Sequence, residues 1–478
     1  MVDRDDAARA RKVRRYAGRR TLWRITGDAA CKGCGRALMD PASGVIVAQT
    51  AAGTAVVLGL MRCGRIWLCP VCAATIRHKR AEEITTAVVE WIRRGGIAYL
   101  VTFTARHGHT DRLADLMDAL QGTRKTPDTP RRPGAYQRLI TGGTWAGRPD
   151  RDQDGIRDRI GYIGMIRATE VTVGQVNGWH PHIHAIVLVG GLTTGQRAER
   201  EVVGVFDPSE TSLEEWQTHW RAVWAAALRK VNPDFTPDDR HGVDFKRLET
   251  ERDAHDLGEY IAKTQDGKAP ALELARADLK TAAHGNVTPF ELLGRIGDLT
   301  GGMTEDDATG VGSLEWNLAR WHEYERATKG RRAIEWTRYL RLMLGMDGGD
   351  TEADDLDLLL GADADGGELR AGVTVTEDGW TAVTRRALDL AAIQAAEGKD
   401  GNLDPAAVGE RVSEVLAAAG AANKIVVLTP AEVAEAYALM LESLALRREE
   451  AAFRRRREHE DHHTDIEVIG SLDMDTAT

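Results

Sequence analysis

The sequence predicts an α+β protein: a ferredoxin-like antiparallel sheet with helices, an N-terminal zinc-ribbon-like segment before it and a helical region after it. Between residues 97 and 248 the hydrophobic patterning runs strand, helix, strand, strand, helix, strand, the β-α-β-β-α-β order. Upstream lie two CxxC pairs, Cys31-x2-Cys34 and Cys69-x2-Cys72. Downstream, helix-period stretches with capping residues dominate.

In chain order, residues 1–30 form a basic N-terminal arm, with nine Lys or Arg against three Asp in 1–24. Such an arm is either a phosphate-binding tail or a plain disordered terminus. Residues 31–95 form a cysteine-rich zinc-binding segment closed by a helix over 73–94, which stops at Gly95-Gly96. The sheet domain occupies 96–270, with strands over 97–105, 160–175, 180–189 and 243–248 and helices over 111–121 and 213–231. The two middle strands form a hairpin, and Trp216, Trp220 and Trp224 recur every four residues, a core-facing stripe. A further helix is expected over 253–264.

A helical extension follows over 271–345. Thr288 is the N-cap and Pro289 the first residue of one helix, and 314–344 forms one or two long helices. Residues 346–378 read as an acidic, Gly-rich linker; 342–369 holds nine Asp or Glu and no base. Residues 379–478 form an accessory helical region whose last helix opens at Thr429-Pro430-Ala431-Glu432.

With 42% hydrophobic and 28% charged residues, the composition is that of a soluble globular protein. No apolar run is long enough to cross a bilayer and the N-terminus is too polar for a secretory signal, so a cytoplasmic location without membrane contact is expected. Five cysteines, an odd number, with two CxxC pairs favour thiolate metal ligation in a reducing compartment over disulfides. The net charge of −10 conceals segregation of sign along the chain, so it does not exclude a nucleic-acid partner.

The chemistry centres on the strand from Gly178 to Val189, which carries two histidines one residue apart among apolar neighbours. Alternate side chains of a strand share a face, so His182 and His184 project together and can chelate one ion. Glu170 on the partner strand is the candidate third ligand, and hairpin parity decides its face. A two-residue Asn177-Gly178 turn puts it on the opposite face. A three-residue Val176-Asn177-Gly178 loop, with Gly178 left-handed, sets Glu170 opposite His184 and Thr172 opposite His182, and is favoured because it satisfies a buried carboxylate. Two imidazoles and a carboxylate suit Mg2+ or Mn2+ bound to a substrate phosphate.

The segment from Asp256 to Lys263 places Asp256, Tyr260 and Lys263 on one helical face as nucleophile and support. Cys31, Cys34, Cys69 and Cys72 are the expected ligands of a structural Zn2+, with Cys63 able to replace one of them. The knuckles would present Lys32, Arg36 and Arg62 to DNA. No GxxxxGK[ST] phosphate loop is present.

The segments Gly178-Trp179-His180-Pro181-His182-Ile183-His184, Thr169-Glu170-Val171-Thr172, Leu100-Val101-Thr102-Phe103-Thr104 and Tyr260-Ile261-Ala262-Lys263 occur with Arg62-Cys63-Gly64 and Trp67-Leu68-Cys69-Pro70-Val71-Cys72-Ala73 upstream. Asn286-Val287-Thr288-Pro289-Phe290 and Trp321-His322-Glu323-Tyr324-Glu325 lie downstream. In this combination, over roughly residues 30–345, the chain resembles the rolling-circle plasmid replication initiators of the HUH endonuclease superfamily, above all those of actinobacterial plasmids and integrative elements.

The resemblance implies that 96–270 is an HUH nicking domain and that Tyr260 nicks one strand of single-stranded or extruded origin DNA. The metal of His182, His184 and Glu170 would assist, giving a 5′-phosphotyrosyl link and a 3′-hydroxyl primer. A host helicase and a host DNA polymerase are the implied partners. Asp256 or Glu259 would assist termination. A relaxase or transposase of the same superfamily is the nearest alternative; a zinc-stabilised DNA-binding regulator without catalysis is the reading from another class.

Overall fold

The computed structural model describes residues 2–50, 53–124, 130–148, 151, 153–194, 200–238, 242–248, 250, 253, 286–301, 312–346, 359, 369–397, 405–422, 424–429, 431–439, 442 and 446. Along the chain run α1 (Val2–Ile25), α2 (Ala29–Gly33), β1 (Val45–Thr50), β2 (Ala55–Leu58), α3 (Pro70–Arg93), β3 (Ile97–Thr104) and α4 (Leu113–Gln121). Three single turns follow, α5 (Ala135–Arg138), α6 (Gly143–Ala146) and α7 (Ile156–Arg159). Then come β4 (Gly164–Gly174), β5 (Gly178–Val189), β6 (Gly191–Thr194), β7 (Glu201–Val205), α8 (Glu210–Val231) and β8 (Val243–Leu248). The rest comprises α9 (Pro289–Thr300), α10 (Leu314–Thr328), β9 (Ile334–Trp336), α11 (Leu340–Met343), β10 (Leu369–Val375), α12 (Glu377–Arg385), α13 (Asp389–Ala396), α14 (Pro405–Ala418) and β11 (Ile425–Leu428).

These elements form two compact units. The first holds residues 1–34 and 62–361, the second 35–61 and 362–478.

The first unit is built on a five-stranded antiparallel sheet in the order β8-β3-β5-β4-β9. Leaving out β9, the four expected strands stand with the first and third in the middle, which is how two β-α-β crossovers interleave in an antiparallel sheet. The expected α+β character and antiparallel sheet are therefore present. Residues 314–344 are not one or two long helices: α10 ends before Gly330, which is left-handed at φ 70°, and Ile334–Trp336 adds a fifth strand to the edge of β4. Glu335 of that strand ion-pairs with the buried Arg167 of β4, which fixes the register.

Burial of one sheet face explains how the other is presented. Alternation puts Tyr99, Val101 and Phe103 of β3 on the face covered by α8, whose Trp216, Trp220 and Trp224 are fully buried. Tyr99 meets Trp216 edge-on at 5.2 Å, Phe103 lies 4.9 Å from Trp224, and the Trp224 indole N–H donates to the Thr104 carbonyl at 2.8 Å. The tryptophan stripe is core packing, as its spacing predicts, and it holds Thr102 and Thr104 toward the opposite face. Trp220→Ala should cost about 3–5 kcal/mol, read from urea unfolding, because a fully buried indole leaves a cavity its neighbours fill only in part.

The basic arm is not the disordered terminus of the second expectation. Residues 2–25 are one helix, packed on α9 and α3. The N-cap of α9 is as predicted: Thr288 accepts from Glu291 N–H at 3.3 Å while the Glu291 carboxylate accepts from Thr288 N–H at 2.7 Å.

The second unit is a four-stranded antiparallel sheet, β11-β10-β1-β2, with α12, α13 and α14. Part of the expected linker is thus a strand: Leu369–Val375 pairs with Val45–Thr50, which the sequence places inside the cysteine-rich segment. All six residues of β1 are buried, with β2 on one side and β10 on the other. The Trp380 indole N–H donates to Gly35 O at 3.1 Å, and Gln49 donates to Ala396 O at 3.1 Å.

Candidate metal centre

The pleat of β4 and β5 assembles the site. Direct partners across the ladder share a face, and Glu170 pairs with His182, Thr172 with His180, and Gly174 with Gly178. The three-residue loop is Gln175-Val176-Asn177, with Gly178 left-handed at φ 71° as the first residue of β5. The register therefore differs by two residues from the expected one: Glu170 faces His182, not His184. The shift is even, so parity and the shared face survive.

Glu170, His182 and His184 each offer one ligand atom, all within 4.8 Å of one another. The Glu170 carboxylate lies 2.8 Å from Nε2 of His182 and 3.4 Å from Nε2 of His184. From β3, the Thr102 hydroxyl meets Nδ1 of His184 at 3.1 Å, directing its Nε2 toward the carboxylate. Among the described residues Nδ1 of His182 is buried without a hydrogen-bond partner. Burial alone would raise the Glu170 carboxyl, but the charges and hydrogen bonds of His182 and His184 outweigh it and hold the group well below the usual carboxylate range. An ionised oxygen and two imidazole nitrogens on one half-buried face, with the remaining directions open, fit a divalent cation.

A row of histidines extends from the site. The ring of His182 lies 5.0 Å from that of His180, which stacks on His107 at 4.7 Å, and Nδ1 of His107 approaches Asn177 O at 3.2 Å. Thr102 and His107 were not singled out in the sequence, and only their place beside the motif in space reveals them. Burial, then the charge of His182, pushes His180 down to about 3. His180 therefore stays neutral where an unfolded histidine, with a value of about 6.5, takes up a proton. Stability of the metal-free protein should fall as pH drops from about 6.5 toward 3, by at most about 1.4 kcal/mol per pH unit from this group, and His180→Gln should flatten the decline in urea titrations.

The second cluster is made of thiols. Cys34, Cys63, Cys69 and Cys72 bring their sulfurs within 4.8 Å of one another, with Cys34–Cys72 at 3.5 Å, Cys63–Cys72 at 3.7 Å and Cys34–Cys69 at 3.8 Å. A tetrahedral ion with bonds of about 2.3 Å to sulfur has edges of about 3.8 Å, so the cage fits such an ion. The set differs from the expected one by a single residue, with Cys63 in the place of Cys31. Cys31 is inside α2, whose N-cap Asp28 accepts from its N–H at 2.9 Å; Cys34 follows at the end of that helix, and Cys69 is the N-cap of α3. Hydrogen bonds from Cys63, Cys69 and Cys72 hold the Cys34 thiol well below its ordinary value despite burial, while hydrogen bonds to the neighbouring sulfurs push Cys63 and Cys69 up, so without an ion the negative charge of the cage rests on Cys34.

Among known proteins the chain is similar to "Protein rep" of Streptomyces lividans, 84% identical over 415 residues that cover 86% of this chain and 91% of that protein. The chain belongs to the Rep family. A second relative of this Rep-family chain, the "Neomycin resistance protein" of Streptomyces cyanogenus, is 44% identical over 440 residues, covering 87% of this chain and 97% of that one. No family model and no solved structure matches it.

Of the other expected site residues of the Rep-family chain, Lys32 and Arg62 lie close to Cys34 and Cys63 of the thiol cluster in the chain. Asp256, Glu259, Tyr260 and Lys263 lie outside the described residues. Lys32 is exposed and Arg62 half-buried in the first unit, whereas Arg36 is exposed in the second. No helix among the described residues is long and apolar enough to cross a membrane.

Proposed function

We propose that this Rep-family chain is a replication initiator of the rolling-circle type that nicks one strand of origin DNA, with an HUH-type core and a zinc-ribbon-like segment. The observation that carries this reading is the convergence of Glu170, His182 and His184 on one face of the sheet. The strand order β8-β3-β5-β4, the 84% identity to Protein rep and the YxxK segment at Tyr260 add to it.

In this reading Glu170, His182 and His184 hold Mg2+ or Mn2+, which when bound polarises the scissile phosphate as a Lewis acid. Thr102 keeps the His184 ring in the liganding orientation. The Tyr260 hydroxyl gives its proton to Asp256 or water, and its oxygen forms a bond to phosphorus as the bond from phosphorus to the 3′-oxygen breaks. That oxygen leaves as the 3′-hydroxyl after taking a proton, and the 5′-phosphate stays on the tyrosine. Lys263 neutralises phosphate charge, and Asp256 directs the proton or water that ends the cycle. Cys34, Cys63, Cys69 and Cys72 hold a structural Zn2+. A host helicase and polymerase supply unwinding and synthesis, and the setting is cytoplasmic.

The test incubates the full chain and Tyr260→Phe with Mn2+ or Mg2+ and end-labelled single-stranded origin oligonucleotides. A downstream fragment covalently bound to the wild type and absent from Tyr260→Phe is expected. An adduct that persists in the variant assigns another nucleophile, and binding without cleavage by the wild type removes the nicking function.

A further inference from the structure

The helix that replaces the expected tail forms one wall of a trough in the first unit. A cavity of about 440 Å³ lies between α1 and α9, lined by Arg11, Arg14, Arg15, Arg20 and Arg24 from α1 and Arg295 from α9. Two carboxylates share the lining, Glu291 and Asp298, and Glu291 caps the N-terminus of α9. Six guanidinium groups stand against two carboxylates in the lining, in a chain whose net charge is −10. Like charge gathered this way draws polyanions to the trough.

The shape selects the anion. From Arg11 to Arg24 the helix rises about 20 Å, so no single phosphate can reach all of these groups. That length matches about six steps of a duplex strand at about 3.4 Å each. Eight of the nine basic residues in 1–24 are arginines, whose forked donors suit phosphate oxygens better than an ammonium does. Phe290 is the one aromatic residue among the described residues of the lining, so the trough lacks the row of rings on which successive unpaired bases stack.

The packing keeps the trough open. At Gly18 an added Cβ would meet Pro70 at 3.4 Å and Leu293 at 3.7 Å, so α1 seats closely at this point. At Gly294, which lines the trough, an added Cβ would meet nothing within 4 Å.

We infer that the α1–α9 trough binds the phosphate backbone of duplex DNA, beyond the strand that the metal centre acts on. The inference rests on the proposed function only in taking DNA as the polyanion. The trough positions the duplex through contacts of guanidinium groups with phosphates, which carry no sequence information themselves.

Anisotropy of a labelled duplex of about 30 base pairs, titrated with full-length protein across a salt series, tests it. The triple variant Arg11→Gln, Arg14→Gln, Arg24→Gln should bind at least about tenfold more weakly at physiological salt, with the slope of log K against log salt shallower by about 2–3, near 0.9 for each lost phosphate contact. Gly294→Glu should weaken binding similarly by placing a carboxylate in the open trough, while Gly294→Ala should not. This pair decides the matter if the triple variant fails to fold.

Wild-type affinity and slope in both the triple variant and Gly294→Glu, with unchanged circular dichroism, overturn the inference. So does equal loss of binding to a single strand of about 12 nucleotides, or retention on anionic vesicles but not on duplex. Cleavage of that short strand is the separate readout. If the wild type cleaves nothing while the variants lose duplex binding, the trough stands and the nicking function falls.

Discussion

Replacing His182 and His184 together with alanine is expected to lower strand cleavage by at least about 10³-fold, because a Lewis acid at a phosphodiester supplies several kcal/mol and about 4 kcal/mol corresponds to that factor. Both imidazoles and the Glu170 carboxylate converge on one point, so the double variant leaves a single donor. Glu170→Ala should act in the same direction, since it removes the ionised oxygen that lies 2.8 Å and 3.4 Å from the two Nε2 atoms. Thr102→Val is the graded control. It leaves all three donors in place and removes only the hydroxyl 3.1 Å from Nδ1 of His184, which should weaken metal affinity by about 10–100-fold and be rescued by added Mn2+. Calorimetry of Mn2+ binding to the same variants separates loss of the ion from loss of chemistry. Unchanged Mn2+ affinity in the double variant would place the ion elsewhere.

The second large effect is expected at the thiols. Structural zinc contributes about 10–16 kcal/mol of apparent folding free energy in small domains, so Cys34→Ser, Cys69→Ser or treatment with a strong chelator should unfold the surroundings of the cluster. The informative comparison is between the two remaining cysteines. Cys63 lies within the four-sulfur cage and Cys31 does not. Cys63→Ser should therefore lose bound zinc and melt at lower temperature, while Cys31→Ser should retain one zinc per chain, read by metal analysis and thermal unfolding. The reverse pattern would restore the two-CxxC set of the sequence reading.

Much of the sheet was legible because its signals are local. The strand at 243–248 and the helix start at Thr288 depend on alternation and on capping groups a few residues apart. The fifth strand at Ile334–Trp336 was not legible, since three residues are too few to show a period and their conformation is set by pairing with β4. The hairpin at 45–58 was hidden for the same reason. Its partner strand begins at Leu369, and nothing in either segment announces a pairing across more than 300 residues.

The candidate site divides in the same way. Sequence by itself determined which side chains share a face of β5, because a strand alternates whatever its register, and it determined that thiols of the two CxxC motifs lie near one another in kind if not in membership. Tertiary structure decided the rest: that Glu170 stands opposite His182, that Thr102 orients His184, that Cys63 takes the place of Cys31, and that a basic N-terminal run is a helix walling a trough with α9. The register of Glu170 is set by which three residues form the hairpin loop; the others depend on pairing or packing between segments farther apart in the chain, where the free energy comes from burying one surface against another and no local pattern encodes which surface that will be.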